Sequence, residues 1–346
     1  MTGKLSKTKG FWERGIKEKI LLCTAAFFIL LSAAVIIMMS SYGIVTGVAQ
    51  SKHKILPISE MPIDGSDKLH FLSTQIGDCI LIESQGRFAL VDAAEDTKYP
   101  PEKPNINLTG FEQKVIDYLT KVCGDEQGNI KLDFVVGTHA HSDHIGGFDE
   151  LILNEKVMVE RAYLKRYDEK YIKQMEIDEW DNKIVYDDMI EACRVRGVEL
   201  VQDLSDEPFS FGSYTVKLMN TELPTETNLG ENENSLAVYL ERGDKKILLM
   251  GDVNYHDGDE QRIAKEVGKI DLLKVGHHGF GFSTGTVFLS HTKPDIAVIT
   301  NALKNVTPTV RLRLALTSRS AVFGTVDRGG IIAVIGDDIK LYSGIH

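Results

Sequence analysis

The chain has 346 residues, enough for two domains or for one large α/β domain with an appendage. Its 43% hydrophobic and 26% charged content is that of a globular protein with ample core, which excludes a low-complexity or wholly disordered chain. A net charge of -11 argues against a nonspecific nucleic-acid binder working through a basic surface, though not against a metal-dependent nuclease.

The N-terminus is the exception to the acidic balance. Lys4, Lys7, Lys9, Arg14, Lys17 and Lys19 precede an uncharged run from Ile20 to Met39 rich in Leu, Ile, Ala and Phe. Roughly 20 apolar residues span a bilayer as a helix, and a basic flank stays in the cytoplasm. The expected layout is therefore a basic cytoplasmic flank (1–19), a transmembrane signal anchor (20–39), a linker (40–67) and an extracytoplasmic catalytic domain (68–346). Secretion after cleavage near Val45-Thr46-Gly47-Val48-Ala49 is the alternative. Cys23 falls in the apolar run; Cys79, Cys123 and Cys193 form neither a disulfide framework nor a Cys-x-x-Cys pair, and Cys79 and Cys193 read as core thiols.

Beyond the linker, Lys68–Thr74, Cys79–Ser84 and Arg87–Ala93 alternate with Ile76-Gly77-Asp78 and Gln85-Gly86, which predicts a meander of antiparallel strands. Apolar residues recur at helical spacing from Thr109 to Val122. The short run Leu132–Gly137 then reads as a buried strand delivering Thr138-His139-Ala140-His141-Ser142-Asp143-His144-Ile145-Gly146-Gly147. His139 and His141 are two apart, so on an extended backbone both rings project to one side; Asp143 and His144 follow where the chain turns. Four ligating groups within six positions split into two pairs, each able to hold one ion, with donors suited to Zn²⁺ and acceptable to Mn²⁺ or Fe. A lone strand histidine is usually structural; this density is not explained that way.

The pattern His139-x-His141-x-Asp143-His144 resembles the signature of the metallo-β-lactamase-fold hydrolases. The surroundings look most like the branch containing the C-terminal domain of the ComEC competence protein and the phosphorylcholine esterases of cell-wall teichoic acid. That resemblance implies an αββα sandwich, here preceded by one N-terminal transmembrane helix. It also implies a metal-activated water between the sheet edges, and two ions ~3.5–4 Å apart would suit in-line cleavage of a phosphoester or phosphodiester by metal-bound hydroxide.

The remaining chain is read against both. Val91-Asp92-Ala93 ends a strand, and the resemblance makes Asp92 a support for the metal loop, where a turn cap is the bland alternative. A second helix is expected after the glycine pair, with Phe148, Leu151 and Ile152 inward. Arg161–Tyr167, Val198–Val201 and Phe209–Met219 read as strands, and Ile184–Arg196 as a helix stopped by Gly197. Tyr163, Tyr167, Tyr171, Trp180 and Tyr186 admit an aromatic cage for a quaternary ammonium group, against the commoner outcome of core packing. Ser235–Glu241 and Lys245–Met250 form a hairpin around Arg242-Gly243-Asp244. The second of these strands runs into Gly251-Asp252, which resembles the family's metal-bridging acid. Asn234-Ser235-Leu236 matches an element that lies near the site in the ComEC-like branch, or is a plain turn.

Strand Asp271–Val275 delivers Gly276-His277-His278-Gly279. Neighbouring side chains diverge, so one ring is assigned as ligand, His278, and the other, His277, as proton donor or phosphate contact. His291 reads as an exposed or capping residue. The last part supplies strand Asp295–Thr300, helix Pro308–Leu316 and strands Ala321–Val326, Gly330–Ile335 and Asp338–Ser343. Where the ComEC-like pattern has a His before Pro as a ligand of the second metal, this chain has Thr307-Pro308, a good helix start in its own right.

The working assignment gives one ion His139, His141, His278 and Asp252, and the other Asp143, His144 and the shared Asp252, with Asp143 and His277 in catalysis. The expected partner is a phosphoester-containing envelope polymer or small molecule, with membrane contact through the N-terminal helix. Nucleic acid, as substrate of an extracellular nuclease linked to DNA uptake, is the less favoured alternative. A noncatalytic metal-binding regulatory member of the fold is the third.

Overall fold

The structure is a computed structural model. It describes residues 5–62, 65–96, 109–224, 227 and 229–345, with the side chains of 5–14 and 34–43 left out. Two compact units are distinguished, 1–48 and 49–346.

In the first unit the backbone is helical from Leu5, within a helix that runs to Lys52. Ile20, Leu21, Phe27, Ile29 and Leu30 on it are 60–70% exposed. Among the described residues no helix is long and apolar enough to cross a membrane. The expected span, 20–39, runs in part outside the described side chains.

The second unit places two large sheets face to face. Among the described residues the first has nine strands in the order Ile55–Pro57, Ile339–Ser343, Ile331–Ile335, Asp67–Phe71, Ile80–Ser84, Arg87–Val91, Phe134–Gly137, Arg161–Leu164 and Glu199–Val201. The second has seven: Phe209–Phe211, Tyr214–Met219, Ala237–Arg242, Lys245–Leu249, Leu272–Lys274, Ile296–Ile299 and Ala321–Gly324. Each sheet mixes antiparallel hairpins with a parallel run, and the central parallel strands are largely apolar on both faces, as burial on both sides requires, with Lys274 the charged exception.

The strand period of two sorts these side chains into three cores. Ile80, Ile82, Val91, Phe134 and Val136 of one sheet meet Val238, Leu240, Ile247, Leu249 and Val298 of the other between the sheets. Leu81, Leu90 and Val135 point to the opposite face, where Val115, Tyr118 and Leu119 of helix Glu112–Cys123 and Met189 of helix Asn182–Arg196 cover them. On the far side, Leu248, Leu273, Ala297 and Ile299 pack under Ile263 of helix Asp259–Val267 and Phe288 of helix Thr286–Thr292. Helix, sheet, sheet, helix is the αββα layering.

Several elements differ from expectation, among them the strand read over Ala321–Val326, which stops at Gly324 and gives way to helix Thr325–Arg328. Phe209–Met219 is not one strand but a tight hairpin, broken at Gly212, whose φ of 54° carries the turn. Residues 55–57, within the stretch read as linker, add a parallel edge strand to Ile339–Ser343. Cys79 and Cys193 are free and buried, as expected of core thiols.

Candidate metal centre

Parallel strands Phe134–Gly137 and Leu272–Lys274 end at the same edge of the sandwich, the usual place for a site in such sheets. The first delivers the His139–His144 turn and the second delivers His277 and His278. Both of the latter have left-handed backbone, φ 49° and 47°, a conformation unfavourable for residues with a Cβ and concentrated at functional sites.

The rings fall into two places. In one, His139 Nε2 lies 3.0 Å from His141 Nδ1 and 4.0 Å from Asp252 Oδ2. In the other, His144 Nε2 lies 3.0 Å from His278 Nε2 and 3.2 Å from Asp252 Oδ1. His278 Nε2 is also 3.2 Å from Asp143 Oδ2 and 3.4 Å from Asp252 Oδ2. The geometry thus gathers Asp78, His144, Asp252 and His278 in one group able to hold an ion, and His139, His141 and Asp252 in another. His278 stands with His144 and Asp143, not with His139 and His141 as the sequence assignment had it. The left-handed turn at 277–278 is the physical reason, since it swings the second ring past Asp252.

Thr307 does sit beside this turn, its N–H donating to Gly279 O at 3.0 Å. It occupies the N-cap of Pro308–Arg313, but its side chain makes no capping bond. His277 is the more open ring, a quarter exposed, with Nε2 3.9 Å from Asp252 Oδ2 and 3.3 Å from Asn232 Nδ2.

Behind each inner ring stands an acceptor that fixes which nitrogen faces inward. Asp92 takes bonds from Thr138 N and Thr138 Oγ1, both 2.8 Å, and lies 2.7 Å from His144 Nδ1. His278 Nδ1 lies 2.9 Å from Thr300 Oγ1, which donates to Asp78 Oδ1 at 2.6 Å. Asp78 in turn is ion-paired with Lys274, a fully buried lysine whose ammonium also donates to Gly251 O at 2.8 Å and lies 3.6 Å from Asp252 Oδ1. Asp78 reaches the site because Gly77, at φ 125°, lets the turn close on the metal loop; a Cβ there would lie 2.6 Å from Asp143 O.

The electrostatics match. Burial works against the charged form of His278, yet Asp252 and Asp143 raise its pKa to about 10. Burial opposes charge on His144 too, and Asp252, Asp143 and Asp92 overcome it. Despite burial, Asp143 is held down at about 2, chiefly by His144 and His278. So many carboxylates around facing ring nitrogens call for positive charge at their centre, which protons supply here and divalent cations supply better. The donor set of imidazole and carboxylate fits Zn²⁺ or iron.

Asp78, Lys274 and Thr300 were not singled out from the sequence. Only the Gly77-Asp78 dipeptide carried a signal, and it read as punctuation. Of the aromatics, Trp180 alone touches the centre, its ring 4.8 Å from that of His141. Tyr163 meets Phe134 edge-on and stacks on Phe209 against the inter-sheet core, and Tyr167 pairs with Tyr186, so these three tyrosines are engaged in packing. Asn234 lies buried against Glu231, which bonds Ala140 N between the two first histidines. His291 is exposed.

A family model described as the beta-lactamase superfamily domain matches residues 109–281, the stretch that holds the histidine motif, Asp252 and the His277-His278 turn. The chain belongs to the beta-lactamase superfamily. Its fold is the α/β sandwich of the metallo-β-lactamases, and the superfamily carries the metal-dependent hydrolase class that the motif implied. ComE operon protein 3 of Bacillus subtilis (strain 168) is 27% identical over 194 residues, 56% of this chain and 22% of that protein. Recombination protein 2 of Haemophilus influenzae is 39% identical over 75 residues, 22% of this chain and 9% of that protein. The match thus spans less than a quarter of either relative, and it agrees with the ComEC-like character of the motifs. Among solved structures, the metallo-beta-lactamase fold protein YhfI from Bacillus subtilis superposes with a TM-score of 0.46 at 13% identity, covering 77% of this chain and 98% of that one.

Proposed function

We propose that the protein is a membrane-anchored, extracytoplasmic metal-dependent hydrolase that cleaves a phosphoester or phosphodiester of an envelope polymer or its head groups. The observation that carries this reading is the pair of donor groups sharing Asp252. His139, His141 and Asp252 would hold one ion, and His144, His278 and Asp252 the other, with Zn²⁺ favoured and Mn²⁺ or Fe acceptable. The second ion would be joined by Asp143, whose Oδ2 is 3.2 Å from His278 Nε2, rather than by Asp78, whose carboxylate is engaged by Lys274 and Thr300. Such ions, when bound, acidify water toward neutrality and stabilise charge on phosphoryl oxygens. Asp92 and Thr300 keep Nε2 of His144 and His278 free to ligate. His277, kept mainly neutral by burial and bonded to Asn232, would offer its ring to a phosphoryl or leaving oxygen at the open side. Anchoring is supported by the basic flank and by the exposed apolar side chains of the N-terminal helix.

A nuclease linked to DNA uptake is the second reading, favoured by the similarity to ComE operon protein 3 and Recombination protein 2. The net charge of -11 weighs against it. The test is to load the full-length chain with Zn²⁺ or Mn²⁺ and offer bis-p-nitrophenyl phosphate, p-nitrophenyl phosphorylcholine and single-stranded DNA, with His141→Ala as control. Turnover of the phosphate esters, lost in the variant, is expected. No hydrolysis with metal verified on the protein overturns the hydrolase reading, and DNA cleavage alone selects the nuclease. Protease treatment of intact cells, expected to degrade the catalytic domain, tests the topology.

A further inference from the structure

His141 presents Nδ1 to His139, so its Nε2 faces away from the candidate metal position. The group it faces is the Glu176 carboxylate, with Oε2 at 3.6 Å. Glu176 belongs to helix Gln174–Glu179 in the segment between Arg161–Leu164 and Glu199–Val201, the last two strands at one edge of the first sheet, far from the histidine motif in sequence. Nevertheless it is only 6% exposed. The same Oε2 accepts the backbone N–H of Glu231 at 3.0 Å, and Glu231 Oε1 accepts the N–H of Ala140 at 2.8 Å. The two segments are stitched further by Tyr171 O, which accepts from Leu229 N and Gly230 N at 2.9 and 3.3 Å. Gly230 makes the approach possible: at φ 109°, a Cβ there would lie 2.5 Å from Glu176 Oε1. Trp180, just beyond the helix, sets its ring against the His141 imidazole.

We propose that Glu176 is the positioning residue of His141, holding its Nε2 as the protonated nitrogen so that Nδ1 stays free to ligate, while Glu231 holds the backbone of the same loop. The inference rests on the metal centre proposed above. His141, whose buried Nε2 has no hydrogen-bond partner, thereby gains an outer carboxylate at ion-pair distance, where Asp92 stands at 2.7 Å from His144, and it comes from an element outside the parallel strands. The 168–181 segment becomes part of the metal site without touching metal. Outer partners of ligating histidines typically set metal affinity by roughly 10- to 100-fold.

The test uses the full-length chain stripped of metal, titrated with Zn²⁺ against a chromophoric chelator and with Co²⁺ by absorption. His141→Ala identifies the equivalent held by His139 and His141. Glu176→Met is expected to weaken that equivalent by roughly 10- to 100-fold and leave the other unchanged. Glu176→Gln, which keeps volume and one acceptor oxygen, is expected to fall between and carries the test should Glu176→Met melt early without metal. Wild-type affinity in both variants, or equal weakening of both equivalents, overturns the proposal. A wild-type chain that takes up no divalent ion overturns the metal centre and this role together. A metal-loaded but inactive wild type overturns only the hydrolase reading.

Discussion

His144 and His278 are 134 positions apart in sequence, yet their Nε2 atoms face each other at 3.0 Å, with Asp252 within 3.4 Å of both. Two ring nitrogens share at most one proton across such a gap, so the pair is built to share a cation. His277, next in the chain, points instead to the open side.

These two histidines therefore have separable roles. His278→Ala should lose one of two metal equivalents, the one shared with Asp143 and His144. His277→Ala should keep both and lower kcat by about 10²-fold or more, the usual scale for a lost acid–base group. Metal content per chain, measured beside turnover of bis-p-nitrophenyl phosphate, decides it; two equivalents in His278→Ala and one in His277→Ala would exchange the assignments.

Asp92 carries a sharper prediction than a lost charge. In Asp92→Asn, an oxygen can still serve Thr138, but the amide NH₂ then faces His144 Nδ1. That forces Nδ1 to accept and puts the ring proton on Nε2, the nitrogen needed for metal. Affinity of the His144 equivalent should fall by roughly 10- to 100-fold, while the metal-free protein loses about 1–3 kcal/mol, read from urea unfolding in EDTA.

Much of this centre is legible in the sequence, because a strand end followed by His-x-His-x-Asp-His is local. His139, Asp92 and Asp252 follow closely on short apolar strands, and His141 to His144 follow within one helical turn, so each is placed by a local signal. The layered fold follows from continuous apolar strands with a period of two: Leu248 and its neighbours Ile247 and Leu249, all apolar, point to opposite cores. The partition of histidines between the two places is not local. It depends on the left-handed turn at 277–278 and on how deep the second sheet brings it, and neither leaves a mark in spacing. Glu176 lies in a stretch with no strand or helix period, Lys274 reads as the end of an apolar strand, and Asp78 meets Thr300 across 222 positions. Residues that support ligands from behind are recruited by packing, so their types are ordinary for where they stand.

Glu260 offers a test of pH dependence away from the metal. It is buried at the start of helix Asp259–Val267 and accepts the N–H groups of Thr284 and Gly285 at the start of the neighbouring helix. Burial raises its pKa from 4.5 to about 7, against the pull of those two donors. An acid raised in the folded state favours folding fully below its unfolded value and loses that contribution as pH rises through the folded one. Between about pH 4.5 and 7 the wild type should therefore lose on the order of 3 kcal/mol relative to Glu260→Gln, which cannot titrate. Urea midpoints in EDTA at pH 5 and pH 7.5 give the two slopes, and parallel slopes would refute the assignment.

Lys274 is the least expected member of the centre, because a fully buried ammonium is costly unless its partners repay the desolvation. Here Asp78, Gly251 O and Asp252 do so, and burial, which disfavours the charge, is overcome by Asp78 and Asp252. Removing one partner of such a set leaves uncompensated buried charge, so Lys274→Met should cost the metal-free protein about 3–5 kcal/mol. Adding Asp78→Asn should recover part of the loss, a coupling that a double-mutant cycle measures directly. Divalent ions should then stabilise Lys274→Met more than they stabilise the wild type, since Asp252 has lost the lysine and keeps only His144, His278 and the ion as positive neighbours. Urea midpoints with EDTA and with saturating Zn²⁺ measure that difference; an equal metal-induced shift in both proteins would mean that Lys274 braces Asp78 alone and leaves Asp252 to the histidines.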